Sequence, residues 1–198
     1  GRRIRGRPPY RMTGRKGRIS PRSRIYFGCE GSSEVGFGRI IQDLADIAKL
    51  HIHIDTDDFG TRAGAPRARV EFAIQQIKRK ESSRGSFVHK AILMDFDQIE
   101  RNEQEFDLVN QLARKADIQI IWQRPCHEAL LPRHLPGCVD RRPQTTELSL
   151  TQLKTQWPEY RKPMTRFQLS RRIGIRELRQ AANVEPELTA FLKAIGII

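Results

Sequence analysis

The feature that most constrains the fold of this chain is the repeated alternation of short apolar runs with longer amphipathic stretches. The apolar runs are 24–29, 51–55, 90–94 and 118–122, and each precedes or follows a segment of helical periodicity. The first such segment places Phe37, Ile40, Ile41, Leu44 and Ile47 on one predicted face. Parallel strands joined by right-handed helical crossovers are the usual result of this pattern. The sequence therefore predicts an α/β fold, a Rossmann-like, mostly parallel four-stranded sheet with helices on both faces.

Composition divides the chain into three predicted parts. Residues 1–23 form a basic tail, 24–142 the α/β domain, and 143–198 a helical C-terminal appendage, because strand patterns end near Pro143. Residues 1–24 carry ten basic side chains and no acidic one, so the tail accounts for most of the net charge of +13. A segment rich in Arg, Gly and Pro cannot bury enough apolar surface to offset its ordering entropy. We expect the tail to be disordered when free.

The basic segments predict a nucleic-acid partner, since Arg and Lys neutralise phosphates and release counterions. Seven basic residues and one acidic residue lie between positions 161 and 179. The candidate phosphate-binding residues are Arg11, Arg15, Lys16 and Arg18 in the tail, and Arg171 and Arg172 in the appendage. An anionic membrane surface is the alternative partner for the tail. No run approaches the roughly 20 apolar residues that span a bilayer. The odd number of cysteines, without CxxC spacing, favours reduced thiols and a cytoplasmic protein.

Carboxylates follow two of the predicted strands. Glu30 comes directly after the first strand, and Asp95 and Asp97 come directly after the third. Side-chain alternation would send both aspartates to one side, and carboxylates held together repel each other unless a cation neutralises them. Such a cluster favours a hard divalent ion, Mg²⁺ or Mn²⁺. The alternative interpretation is that these are solvated loop acids.

Two motifs in this order resemble those of the Toprim family. They are Cys-Glu-Gly-Ser-Ser-Glu at 29–34 and Leu-Met-Asp-Phe-Asp at 93–97. The resemblance covers roughly residues 24–138. It implies a Toprim fold in which Glu30, Asp95 and Asp97 bind the catalytic metal, with Glu34 assisting.

A third segment, 125–134, is similar to the Pro-Cys-aromatic-Glu segment of RloB-like Toprim nucleases, which are related to the OLD group. This resemblance implies Glu128 as a further catalytic metal ligand and a role in anti-phage defence. Arg124, Arg133 and the lysines and arginines of the appendage are candidates for steadying developing negative charge. His134 is expected to fix Glu128 or a phosphate through a hydrogen bond. A zinc site made from Cys126, His127, His134 and Cys138 is the weaker alternative.

These observations predict a Mg²⁺- or Mn²⁺-dependent nuclease that hydrolyses DNA or RNA, with tRNA among the candidate substrates. No tyrosine is placed convincingly as a nucleophile, so hydrolysis by water is favoured. Two alternatives stay open. One is a nucleic-acid-binding module without catalysis, and the other is a subunit whose activity waits for a partner protein.

Overall fold

The structure, a computed structural model, describes residues 20–61 and 64–198. Four parallel strands form one sheet in the order β2-β1-β3-β4. Their bounds are Ser23–Cys29 for β1, Ile52–Asp58 for β2, His89–Asp95 for β3 and Gln119–Gln123 for β4. Cys29 pairs in register with Asp58 on one side and Leu93 on the other. The carboxyl ends of β1, β2 and β3 therefore meet at one edge of the sheet.

Eight helices and one 3₁₀ turn accompany the strands in the described part of the chain. The helices are α1 Ser32–Ile47, α2 Pro66–Arg84, α3 Glu103–Lys115, α4 His127–Leu130, α5 Thr146–Gln156, α6 Arg166–Ser170, α7 Ile175–Ala182 and α8 Pro186–Ala194, and the turn spans Leu131–His134. The predicted α/β fold is confirmed. None of these helices has both the length and the apolar composition needed to cross a bilayer.

Both faces of the sheet are covered, which explains why β1 is almost continuously apolar. Ile25 and Phe27 point into one hydrophobic cluster with α1, whereas Tyr26 points into the other with α2 and α3. Alternate residues of one strand thus contribute to two separate cores. Helices on both faces were predicted from the sequence, and the two clusters confirm them.

The C-terminal helices pack on the same face as α1. Leu153, Leu178 and Phe191 belong to the hydrophobic cluster that contains Phe27 and Ile41. The Phe191 and Phe27 ring centroids lie 5.4 Å apart. Residues 143–198 therefore share one core with the sheet.

Three local features differ from the sequence predictions. Strand β2 runs on to Asp58, three residues beyond the apolar run 51–55 from which it was predicted. Its acidic end is tolerated because Lys80 Nζ lies 2.8 Å from Asp55 Oδ1 and the Tyr26 hydroxyl donates to Asp57 Oδ2 at 2.8 Å. Ile47, predicted to face inward, is 76% exposed at the last turn of α1. The short helix α4 was not predicted.

Candidate metal centre

Glu30 and Asp95 meet at the carboxyl edge of the sheet because β1 and β3 are adjacent parallel strands. Glu30 directly follows β1, and Asp95 is the last residue of β3. Glu30 Oε1 accepts a hydrogen bond from the Asp95 backbone N–H at 3.1 Å. Open parallel sheets commonly bind ligands at this edge.

Glu34 joins these two residues from the first turn of α1. Gly31 is the N-cap of α1, with extended backbone, and brings the chain from β1 directly into the helix. Glu34 is buried. One carboxylate oxygen from each of Glu30, Glu34 and Asp95 lies within 4.8 Å of the others. We call these three residues the carboxylate trio.

Among the described residues, the three carboxylates of the trio have one salt-bridge partner between them, too little positive charge to keep all three ionised. Burial raises the pKa of Asp95 to about 9, and the charges of Glu30 and Glu34 add to the shift. Burial also raises the pKa of Glu30 to about 7, against the opposing effect of Arg69, and that of Glu34 to about 7. Among the described residues, Glu34 and Asp95 form no salt bridge, whereas Glu30 Oε1 lies 2.8 Å from Arg69 Nη1. A bound divalent cation would remove this deficit of positive charge.

A polar frame from β4 and α4 orients Asp95. Its Oδ1 accepts hydrogen bonds from Gln123 Nε2 and from the His127 backbone N–H, both at 2.8 Å. Since the Gln123 amide nitrogen donates to Asp95, its Oε1 is the acceptor for His127 Nδ1 at 2.5 Å. The network therefore assigns the proton to His127 Nδ1 and leaves Nε2 as a bare lone pair.

His127 itself is 1% exposed, and its Nε2 has no hydrogen-bond partner among the described residues. Burial lowers the pKa of His127 to about 4, so the ring is neutral near pH 7. His127 lines a cavity of about 320 Å³ together with Glu34 and Asp95. We call this space the carboxylate cavity. At this pKa the imidazole is a weak base, so His127 contributes a neutral, fixed ring to the wall of the cavity.

Glu128 lies in the same cavity but is held by Lys162. The Lys162 ammonium contacts Glu128 Oε1, and the Tyr160 hydroxyl donates to that oxygen at 3.4 Å. Burial raises the pKa of Glu128, but the hydrogen bond and charge of Lys162 outweigh burial and hold the pKa below its usual value. Glu128 thus stands beside the carboxylate trio with a counter-ion of its own.

Asp97 lies outside the trio, contrary to the side-chain alternation expected for the Asp-Phe-Asp run. Strand β3 ends at Asp95, and the chain then bends so that the Phe96 and Asp97 N–H groups both donate to the Pro125 carbonyl at 3.0 Å. The Asp97 side chain is exposed and accepts a hydrogen bond from Thr146 Oγ1 at 2.8 Å. The bend removes the two-residue period on which the expectation depended.

His134, Arg133 and Arg124, which were predicted to assist the site, have other partners. His134 is buried, its Nδ1 lies 3.1 Å from the Leu130 carbonyl oxygen, and its Nε2 has no hydrogen-bond partner among the described residues, so the expected hydrogen bond to Glu128 is not formed. Arg133 is 1% exposed and forms an ion pair with Glu185. Arg124 Nη1 lies 2.9 Å from Glu187 Oε1. None of these three side chains lines the carboxylate cavity.

Of the predicted phosphate-binding residues, the structure describes only Arg171 and Arg172. Arg171 is exposed on the turn after α6. Arg172 Nη1 donates to the Gln156 carbonyl at 2.7 Å, and its guanidinium lies 5.2 Å from the Trp157 ring centroid. Residues Arg11, Arg15, Lys16 and Arg18 lie outside the described residues, as does most of the predicted tail.

The sequence did not point to Arg69 or Gln123, which contact Glu30 and Asp95 respectively. Lys162, which contacts Glu128, was included among the basic residues of the appendage but was not singled out. Arg69 lies on α2, and no local pattern marks it. Gln123 ends β4 next to Asp95 and could have been suspected as a polar strand-end residue. Within the described residues, the carboxylate trio is the only group of three such ligands, so the cysteines and histidines of 126–138 form no zinc site there.

No protein-family model matches the chain, and no curated protein or solved structure matches it.

Proposed function

We propose that the protein is a metal-dependent phosphodiesterase that hydrolyses nucleic acid at the carboxylate trio. The observation that carries the proposal is the convergence of three carboxylate oxygens within 4.8 Å at the carboxyl edge of a parallel sheet. The donor set consists entirely of oxygen, which suits Mg²⁺ or Mn²⁺. The resemblance to Toprim and RloB-like nucleases supports the same chemistry and extends the proposal to anti-phage defence.

Glu30, Glu34 and Asp95 would hold the cation in this proposal. When bound, the cation would supply Lewis-acid polarisation of a phosphoryl oxygen and an acidified water. Gln123 and the His127 N–H orient Asp95 through their hydrogen bonds to Oδ1. Lys162 places positive charge at the wall of the same cavity, where it would favour an anionic substrate.

The intracellular setting belongs to the same proposal. Cys29, Cys126 and Cys138 are buried free thiols. Reduced cysteines are typical of proteins kept in the cytoplasm.

A second candidate function is a non-catalytic nucleic-acid-binding subunit of a larger defence or repair assembly. Two of the carboxylates at the site already have side-chain counter-ions, Arg69 for Glu30 and Lys162 for Glu128. This arrangement favours a site that is stable without a cation.

Cleavage of plasmid DNA, single-stranded DNA and total tRNA tests the two functions, with Mg²⁺, Mn²⁺ or chelator. Glu30→Gln and Asp95→Asn keep the shape of the trio and remove its charge, and Glu100→Gln is the matched control on an exposed residue. We expect metal-dependent cleavage that falls by about 10²- to 10³-fold in both trio variants. Binding of nucleic acid without cleavage under any metal condition would favour the second function.

A further inference from the structure

A second cavity adjoins the carboxylate cavity. It has a volume of about 710 Å³ and runs between α1, the end of β2 and residues 163–167. Ser32 and Pro163 line both cavities, so the two lie side by side and share a wall. We call this second cavity the groove. A polymer whose backbone reached the carboxylate trio would have a path along it.

The groove presents an aromatic ring to solvent. Phe167, on α6, is 69% exposed. The Arg166 guanidinium lies 5.0 Å from its ring centroid. An aromatic ring at this exposure adds little to the core, and a ring beside a guanidinium is the kind of surface on which nucleobases stack.

The charge of the groove suits a phosphate backbone. Arg39, on the exposed side of α1, forms no salt bridge with any residue that the structure describes. Arg166 has only a loose pair with Asp43, at 3.8 Å between Nη1 and Oδ1. Asp58, the one carboxylate among the described residues that line the groove, accepts a hydrogen bond from the Gly60 N–H at 2.9 Å. Two guanidinium groups are therefore available to an anionic ligand.

The wall that carries Phe167 is fixed against α1. A Cβ on Gly36 would lie 2.2 Å from the Met164 carbonyl oxygen, so only glycine permits this approach of the two backbones. The Met164 N–H also donates to Ser33 Oγ at 3.3 Å. The position of α6 relative to the carboxylate trio is thus set by close packing rather than by a free loop.

We propose that the groove binds a single-stranded polynucleotide, with a base stacked on Phe167 and adjacent phosphates on Arg39 and Arg166. This inference rests on the proposed phosphodiesterase function and gives it a substrate class. Bases inside a duplex are stacked on each other and cannot cover the Phe167 ring. The groove therefore selects unpaired strands over duplexes.

Fluorescence anisotropy tests the proposal in chelator, where no cleavage can occur. The probes are a labelled 12-nucleotide DNA strand, the RNA strand of the same sequence, and the blunt DNA duplex. The variants are Phe167→Ala, Phe167→Trp and Arg39→Ala. The matched controls are Leu148→Ala, which removes an exposed apolar side chain, and Arg179→Ala, which removes an exposed charge outside the groove.

We expect Phe167→Ala to weaken single-strand binding by about 5- to 150-fold, and Phe167→Trp to restore it. Arg39→Ala should lower the slope of log affinity against log salt by about 0.7, the value for one phosphate on a single strand. The DNA and RNA probes decide which polymer binds more tightly. Both control variants should bind like the wild type.

The proposal is overturned if Phe167→Ala binds the single strand within twofold of wild type, or if it weakens duplex binding equally. It is also overturned if Arg39→Ala and Arg179→Ala lose the same affinity, because the charge would then act nonspecifically. Metal-dependent cleavage of duplex alone would reject the groove while leaving the phosphodiesterase intact. Tight, Phe167-dependent binding without cleavage would support the groove and reject the phosphodiesterase.

Discussion

Glu30 Oε1 accepts a hydrogen bond from the Asp95 backbone N–H at 3.1 Å, and the two residues are 65 positions apart in the chain. The bond fixes the Glu30 carboxylate against the end of β3, where the Asp95 side chain also lies. Adjacent parallel strands thus bring together two acids that would repel each other in the absence of a cation.

The first prediction concerns the pH dependence of stability without metal. Because the pKa of Asp95 in the folded protein is raised to about 9, its contribution to stability is fully present below its unfolded pKa of about 4 and is lost as pH rises towards 9. We expect wild type to lose stability relative to Asp95→Asn by at most about 1.4 kcal/mol per pH unit over this range.

Urea unfolding of both proteins at pH 5, 7 and 9 in chelator measures this difference. Mg²⁺ should restore the wild type most strongly at pH 9, since the carboxylates are then ionised and bind the cation without releasing protons. A difference between the two proteins that stays constant with pH contradicts the prediction.

The second prediction concerns Lys162, whose side chain is 64% exposed at the cavity. Lys162→Met keeps the apolar stem and removes the charge that holds Glu128. We expect the pKa of Glu128 to rise. The affinity for Mg²⁺ should increase, because the variant removes a positive charge that repels the cation. The increase should be roughly 2- to 5-fold, since a partly exposed ion pair has a modest free energy.

Titration calorimetry with Mg²⁺ measures the affinity, and Lys154→Met is the control on an exposed lysine of α5. Weaker Mg²⁺ binding in Lys162→Met would show instead that Lys162 positions Glu128 for the cation.

The third prediction concerns the contact between α1 and residue 164. Gly36→Ala would place Cβ against the Met164 carbonyl oxygen, so the backbone must shift. We expect a loss of about 1–3 kcal/mol in unfolding free energy, the usual effect of overpacking.

Gly31→Ala is the control, because the nearest atom to its Cβ, Glu34 Oε2, lies at an ordinary contact distance of 3.5 Å. Equal chemical-denaturation curves for Gly36→Ala and wild type would mean that the two backbones separate without cost.

The fourth prediction separates a structural arginine from an exposed one. Arg133 is 1% exposed and paired with Glu185, so Arg133→Ala leaves a buried carboxylate without its partner. We expect a loss of about 3–5 kcal/mol. The Arg124 side chain is 43% exposed, and Arg124→Ala should cost less than about 1 kcal/mol.

Thermal and urea unfolding of the two variants provide the comparison. The double variant Arg133→Met with Glu185→Leu should recover most of the stability, because no unpaired charge is then left buried. Similar losses in Arg133→Ala and Arg124→Ala would count against a structural role for Arg133.

The sequence predicted what depends on strand and helix periodicity. The apolar runs located all four strands, and the strand-end positions of Glu30 and Asp95 follow from them. Asp97 could not be placed, because the bend after β3 is set by hydrogen bonds to Pro125, 28 positions away in the chain. Arg69 was missed, and Lys162 could not be distinguished from the other basic residues of the appendage, because their place at the site depends on how α2 and the segment after α5 pack on the sheet.

The C-terminal helices that pack on the α1 face of the sheet are made after the carboxylate trio, which has a consequence for synthesis of the protein. The carboxylate trio lies between positions 30 and 95, whereas Lys162 and the helices that cover Phe27 come from residues 146–194. A nascent chain that has emerged only as far as α4 would have only α1 and α4 on this sheet face and would lack the Lys162 wall of the cavity. The cavity is therefore completed only after residue 162 has been made, 67 positions after Asp95.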